Sequence, residues 1–520
     1  MTESKNAWIQ PVLIPAPSIG DNTADADRLI RALKPFVGTT PVSIDLSLIK
    51  RLPQVLRKAE FDISCVLFKD RSRYILTDLL PRKNPGPAAG LAVDLGTTQI
   101  SLRLIDLKTR ETIGEASFAN PQASVGSDIL TRIHFSNTPE GLKTLTGLLI
   151  EALNRNLRRL CRSCDMEPVD VYTLSVAGNT TMTHLFLGID PHWLIREPYI
   201  PAINRPDSVK AEALGLYVNS GARVFVFPNV GSYLGGDLIA GILYSGIHRR
   251  EETAILVDVG TNAEVVLGNS DWIVGCAGAA GPALESGVTR MGMTAGPGVI
   301  DRIEIGPDTK SNTASFDIHT IDDLPPRGIC GSGVIDLGAC LFRTGMIDIR
   351  GKLVPDRCGS RYFHEKGMAG LTLVPAGESA TETDITISQA DLDSLIRSKA
   401  AMYTILETIT ATVGLPLGGL PRFYVAGAFG AFIRPISAVT IGMLPDLPLD
   451  HFQSMGNSSL EGTALAITAP DVLDEIDRIR DGITYLELNV NQEFMNRFSA
   501  AKFIPHTDLG RFPSLGKTGR

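Results

Sequence analysis

The sequence predicts an α/β protein built from two similar lobes and preceded by a small α+β domain. Three observations carry that prediction. The stretch LAVDLGTTQISLRLIDL (Leu91–Leu107) returns in cadence as ILVDVGTNAEVVLG (Ile255–Gly268). Each copy opens a run in which strand and helix patterns follow one another, as in layered α/β units. The segment before the first copy is patterned differently, and PRKNPGPAAG (Pro81–Gly90) sets it off with the prolines and glycines of a linker.

Taken in order, residues 1–87 form the N-terminal linker-like α+β domain, with amphipathic patterns at Ala24–Phe36 and Leu48–Glu60 and a short strand pair around Ile63–Leu67 and Tyr74–Thr77. Residues 88–250 form the first lobe. Its strand signals are Leu91–Ile105, Val171–Val176 and Arg223–Phe227, and its helix signals are Gly141–Cys161, Thr180–Leu187 and Gly236–Gly246. Residues 251–505 form the second lobe. It repeats the opening from Ala254 and carries a long helix over Ser388–Val413, with Ser388 as N-cap and Asp391 near the positive end of the dipole. Residues 506–520 read as a loose tail.

Composition excludes several classes. The 49 basic side chains are outnumbered by 57 acidic ones, and a net charge of −8 argues against a nucleic-acid partner, which would need a clustered basic excess. The run MTESKNAWIQPVLIPAPSIGD lacks the basic segment, apolar core and cleavage site of a secretion signal. The most apolar glycine-rich stretches, Gly235–Gly246 and Trp272–Leu284, are too short or too interrupted to span a bilayer. A cytoplasmic protein without a membrane partner is expected. The seven cysteines (Cys65, Cys161, Cys164, Cys276, Cys330, Cys340 and Cys358) are odd in number and scattered, which suits a reducing compartment. Only Cys161 and Cys164 form a CxxC. It reads as two helix-borne thiols, with a redox or intermolecular metal role as the alternative.

A strand ending in Asp-x-Gly-Thr does a specific job. The apolar run delivers the carboxylate to the strand end, glycine permits the tight turn, and the hydroxyls and N–H groups that follow face an anion. Two copies, at Asp94 and Asp258, suit two lobes that each give one hairpin to a shared cleft, where the carboxylates hold Mg²⁺ against nucleotide phosphates. Two unrelated hairpin turns are the plain alternative. GICGSGVIDLGAC (Gly328–Cys340) packs glycines before a helix, either to aim helix N–H groups at the cleft or because the helix is crowded. FYVAGAFGAFI (Phe423–Ile433) is a strand followed by Gly427 and Gly430, where a base and ribose can lie against backbone.

In this order, hairpin, hairpin, glycine-helix and glycine-turn resemble the actin-like ATPase superfamily of sugar kinases, actin and heat-shock chaperones, whose lobes are duplicated ribonuclease-H-like units around a nucleotide cleft. One branch is more similar still, the ATP-dependent reductive activators of corrinoid-dependent enzymes. NPQASVGSDILTRI (Asn120–Ile133), AGNTTMTHLFLGIDP (Ala177–Pro191), VGSYLGGD (Val230–Asp237), VDVGTNAE (Val257–Glu264), CAGAAGPALES (Cys276–Ser286), RGICGSGVID (Arg327–Asp336) and MGNSSLEGTALA (Met455–Ala466) carry this likeness. SLIKRLPQVLRK (Ser47–Lys58) resembles the linker region preceding the ATPase core.

The resemblance implies one-electron reduction of Co(II) to Co(I) on a corrinoid protein or corrinoid methyltransferase, with ATP and Mg²⁺ as cofactors and a homodimer through the N-terminal region. Family members commonly begin with an iron–sulfur domain, whereas Cys65 stands alone before Asp94. No iron–sulfur cluster is expected in this chain. A separate ferredoxin-like donor then supplies the electron, or the ATP-driven step serves another task. Ala428 and Ser286 depart from glycines that the resemblance leads one to expect.

In the shared cleft, position by position, Asp94 and Asp258 are expected to organise Mg²⁺ and the attacking water. Gly96, Thr97, Thr98, Gly260, Thr261 and Asn262 go to the phosphates, and Gly331, Gly333, Gly427 and Gly430 to the nucleoside side. Asp237 is a candidate for positioning water or metal, or else a helix N-cap. Glu264 acts beside Asp258 or supports the hairpin, while His134 and His184 read as packing histidines. Two further functions remain open: a small-molecule kinase, for which Asp128 or Asp237 would be the general base, and a non-redox ATP-binding assembly or chaperone-like factor.

Overall fold

The computed structural model describes residues 8–83, 85–260, 263–278, 289–306, 315–365, 367–427, 433–488 and 492–517. The chain divides into two compact units, Met1–Tyr244 with Ser458–Gly482 and Ser245–Asn457 with Ile483–Arg520. The second lobe's expected span of 251–505 is therefore interrupted. The helix Ser458–Thr468 packs on the strands Ala89–Leu95 and Val171–Gly178, which draws it into the first unit. The expected linker domain, 1–87, also falls within the first unit.

In that N-terminal part, Leu29, Leu33 and Val37 of the helix Asp25–Val37 and Leu48, Leu52 and Leu56 of the helix Leu46–Lys58 recur every fourth residue. Each set lines one helical face, and both face a shared core with Ile63, Cys65 and Leu67. The sheet runs in the order Ile9–Leu13, Asp62–Asp70, Arg73–Pro81, Val42–Ile44. The two outer strands escape the sequence pattern. Pro11 interrupts Ile9–Leu13, and proline is tolerated there because the strand is an edge. Arg223 and Lys210 pair with Asp45, and Lys69 pairs with Asp474, which ties this sheet to the rest of its unit.

The main sheet of the first unit is ordered Thr112–Ala119, Gln99–Asp106, Ala89–Leu95, Val171–Gly178, Arg223–Val226, Val209–Lys210. Val171–Gly178 is buried along its whole length, as a central parallel strand should be. The second unit repeats the plan. Its sheet runs Phe452–Gly456, Arg422–Ala426, Ala254–Val259, Ala263–Gly268, Ile273–Gly278, Ile483–Tyr485. In each unit the strand bearing the acidic residue pairs antiparallel with the next strand in sequence and parallel with a distant one. Asp94 stands opposite Ala177 in the parallel register, and Asp258 stands opposite Ala426. The duplication is thus structural down to the register.

Two three-stranded sheets are added to the second unit: Phe316–Thr320, Val299–Ile305, Gly328–Ile329, and Tyr362–Glu365, Met368–Val374, Ile385–Ser388. The helix Gln389–Thr412 starts as the sequence predicts. Ser388 Oγ accepts the Asp391 amide at 3.2 Å, and the Asp391 carboxylate accepts the Ser388 amide at 2.8 Å. Within the tail expected to be loose, residues 507–511 are exposed, but His506 and Phe512 are buried and the Phe512 ring lies 5.5 Å from that of Tyr403; just before it, the Pro505 carbonyl accepts a bond from Lys399. Two buried rings among polar neighbours leave no periodic signal. Among the described residues, no helix is long and apolar enough to cross a membrane.

Candidate functional site

The first hairpin forms where three parallel strands finish. Ala89–Leu95, Val171–Gly178 and Arg223–Val226 run the same way, so their carboxyl ends share the edge at which open α/β sheets bind ligands. Asp94 is half-buried at this edge, and Ser459 Oγ donates to its Oδ1 at 2.8 Å. Gly96 begins the turn. A Cβ there would lie 2.2 Å from the Gln99 carbonyl oxygen, so only glycine fits.

The turn is held from one side by groups that the spacing of the hairpin did not disclose. Asn120 Nδ2 donates to the Gly96 carbonyl at 2.9 Å, and the Asn120 amide donates to the Thr98 carbonyl at 2.8 Å. Arg132 Nη2 donates to the Thr97 carbonyl at 2.7 Å. In a trans peptide the N–H points opposite to the C=O, so the Thr97 amide points away from Asn120 Nδ2 and the Thr98 amide away from Arg132 Nη2. Arg132 is fully buried; its Nε donates to the Gly126 carbonyl at 2.9 Å and its Nη1 to Gln122 Oε1 at 3.3 Å. Burial lowers its pKa to about 10, which still leaves a protonated guanidinium at neutral pH. Asn120, Gln122 and Arg132 all lie in the stretch NPQASVGSDILTRI, which the sequence marked without assigning a task.

Asn179, at the end of the neighbouring parallel strand, donates through Nδ2 to Thr97 Oγ1 at 3.0 Å. Asp237 lies in the first turn of the helix Gly236–Ser245, where its Oδ1 accepts the Leu238 amide at 2.9 Å. A Cβ on Gly235 would sit 2.4 Å from Asn179 Cα and 2.5 Å from Asp237 Oδ1, so Asp237 and Asn179 approach one another across that glycine. Asp94, Gly96, Thr97, Thr98, Asn179 and Asp237 therefore gather at one edge of the first unit, with Ser459 joining from a remote helix.

In the second unit, Asp258 is half-buried at the end of Ala254–Val259, with Glu264 directly across the antiparallel pair. The pair brings two carboxylates, oxygen donors of the kind a hard divalent cation takes, to one end of the hairpin. Gly427 follows the parallel strand with φ +83, and a Cβ on it would lie 2.7 Å from Asp258 Oδ1 and 2.9 Å from the Val259 carbonyl oxygen. Gly427→Ala is expected to push the Asp258 carboxylate aside and, by forcing a side chain into a positive φ, to destabilise the fold by about 1–3 kcal/mol. Urea unfolding of the variant checks it, and a stability equal to the parent's would refute it.

Gly260 starts the second turn, while Thr261, Asn262 and Gly430 lie outside the described residues. Gly331 and Gly333 open the helix Gly331–Arg343, away from both hairpin turns in sequence. A Cβ on Gly333 would lie 2.6 Å from the Ile300 carbonyl oxygen, so its absence there is accounted for by helix-on-strand packing.

Other candidates resolve on contact. Asp128 caps the helix Ile129–Phe135, and bonds from the Thr131 amide and hydroxyl hold its carboxyl below the usual range. It is a poor general base, which weakens the kinase alternative. His184 is fully buried. Its Nε2 accepts the Ala202 amide at 3.2 Å, so Nδ1 carries the proton donated to the Thr180 carbonyl at 2.7 Å, the packing role expected of it. His134, also expected to pack, is exposed. All seven cysteines are free, and burial pushes the Cys161 thiol up to about 12, away from a reactive thiolate.

Three family models match consecutive regions: the RACo linker region over residues 6–84, the RACo middle region over residues 89–250, and the C-terminal domain of RACo, the ASKHA domain, over residues 252–516. The chain is 29% identical over 493 residues to the corrinoid activation enzyme RamQ of Eubacterium limosum, covering 92% of this chain and 79% of that protein. It is 25% identical over 441 residues to a Co(II) methylated amine-specific corrinoid protein reductase of Methanosarcina barkeri, covering 78% of this chain and 75% of the relative. A solved reductive activator for corrinoid,iron-sulfur protein superposes with a TM-score of 0.88 at 36% identity, covering 99% of this chain and 82% of that one.

Proposed function

Because the chain belongs to the RACo family of corrinoid reductive activators, with its actin-like ATPase C-terminal domain, we propose that it uses ATP to promote reduction of Co(II) to Co(I) on a corrinoid protein or corrinoid methyltransferase. The observation that carries this reading is the matched pair of acidic hairpins, Asp94 opposite Ala177 and Asp258 opposite Ala426. Asp94 and Asp258 would hold Mg²⁺, which when bound offsets phosphate charge. Thr97 and Thr98, with the amides of the first turn, bind phosphate oxygens, and Gly427 leaves room for the Asp258 carboxylate. Asp237 and Asn179 order the polar groups between the first turn and the helix Gly236–Ser245.

The balance of the reaction is simple. One electron converts Co(II) to Co(I), and separately ATP and water become ADP and phosphate. The electron is proposed to come from a separate ferredoxin-like donor. ATP contributes by favouring one conformation of the activator, and the preference of the partner for that conformation drives the change at cobalt.

The test is Mg·ATP turnover by the purified chain, alone and with a Co(II) corrinoid protein and a low-potential reductant, following cobalt absorbance in the same cuvette. Turnover stimulated by the corrinoid protein, with Co(I) formed only in the presence of ATP and not with Asp258→Ala, is the expected result. Absence of both stimulation and Co(I) would overturn the reading.

A further inference from the structure

The inference drawn here rests on the nucleotide reading above and concerns how the first turn is armed to bind phosphate. Asn179 is the N-cap of the helix Thr180–Leu187, and its Oδ1 accepts the Met182 amide at 3.0 Å. A backbone amide can only donate, so the oxygen of the carboxamide must face Met182 and the nitrogen must face Thr97. That nitrogen lies 3.0 Å from Thr97 Oγ1. It too can only donate, so the hydroxyl oxygen accepts, and the hydroxyl proton is left for another acceptor. Among the described residues the structure gives that proton none.

We propose that Asn179 is a positioning residue that commits the Thr97 hydroxyl to donating to a nucleotide phosphate at the first hairpin. The surroundings hold both partners in place. Arg132 fixes the Thr97 carbonyl, and Gly235 lets the helix Gly236–Ser245 close on the Asn179 main chain, where any side chain would collide. The hydroxyl then joins the Thr97 and Thr98 amides as a third donor, so the turn presents donors to an anion without having to rotate any group on binding.

The experiment measures the Kd of Mg·ADP and of Mg·AMPPNP by titration calorimetry on the full chain. It compares the parent, Asn179→Ser, Thr97→Val and the double variant. Serine caps a helix about as well as asparagine, adds no charge and is too short to reach Thr97. Each single substitution is expected to weaken binding by about tenfold, the scale of one hydrogen bond to a charged group. The double variant is expected to bind no worse than Thr97→Val, because the amide acts only through the hydroxyl. Asn179→Asp, which also caps well, provides a second route should the serine variant not fold. Its carboxylate takes the hydroxyl proton, so adding Thr97→Val to it should cost nothing further. Unchanged binding by the Asn179 variants, or losses that multiply in the double variant, would overturn the proposal while leaving the nucleotide reading intact. A parent chain that binds neither nucleotide would overturn both.

Discussion

Under the proposed function, Asp94→Asn is expected to lower corrinoid-stimulated ATP turnover by about 10²–10³-fold, the loss that follows when one preorganised electrostatic group is removed from an active site. The substitution is close to isosteric. Asn Oδ1 can still accept the Ser459 hydroxyl, which now lies 2.8 Å from Asp94 Oδ1, so the helix Ser458–Thr468 keeps its polar contact to the strand Ala89–Leu95. What is lost is one of the two negative charges at this edge, Asp237 being the other, while the buried Arg132 guanidinium stays behind the turn at the Thr97 carbonyl. A phosphate-release assay, with thermal unfolding measured on the same preparation, separates the two effects. Turnover within about threefold of the parent in a stably folded variant would remove Asp94 from the metal site.

The duplication was legible because its signal is local. Asp-x-Gly-Thr compresses strand end, turn and ligand hydroxyl into a few residues, and both copies lie at the same register point of equivalent sheets. The cap at Ser388 is local in the same way. The supports of the first turn were not legible as supports. Arg132 reaches the Thr97 carbonyl from 35 positions away, and Ser459 reaches Asp94 from 365 positions away. Side chains that bond a remote main chain leave no periodicity behind, and only the chain's return to the same sheet edge brings them together. The same limit hid the membership of Ser458–Gly482 in the first unit and the packing of the tail through Phe512. It also explains Gly333, whose glycine spacing suggested a ligand but whose neighbour is the Ile300 carbonyl.

Lys399 makes the second expectation with a large effect. It lies fully buried on the inner face of the helix Gln389–Thr412, and its Nζ donates to the carbonyls of Phe503 and Pro505, the latter at 2.8 Å. Desolvation brings its pKa from an ordinary 10.5 down to about 7. The charged groups around it do not reverse this. His506, itself lowered by burial, adds repulsion when protonated, and Glu407 is already engaged by Arg511 and Arg497. The unfolded chain binds the proton up to its ordinary pKa, whereas the folded chain releases it near 7. Stability is therefore greatest in alkali, falls as pH drops from above 10 towards 7, and levels off below 7, where both states are protonated. Across pH 10 to 7 this single group should remove roughly 3–4 kcal/mol. Lys399→Met cannot titrate, so urea-unfolding curves of parent and variant should converge or cross in acid and diverge in alkali, the variant lacking that slope. At neutral pH the variant also loses the donors to two carbonyls, at about 1–3 kcal/mol each, so the absolute difference there is small while the change with pH is not. Parallel pH profiles for the two proteins would mean that the amine stays charged in the fold, and that two carbonyls suffice to hold an ammonium ion in this core.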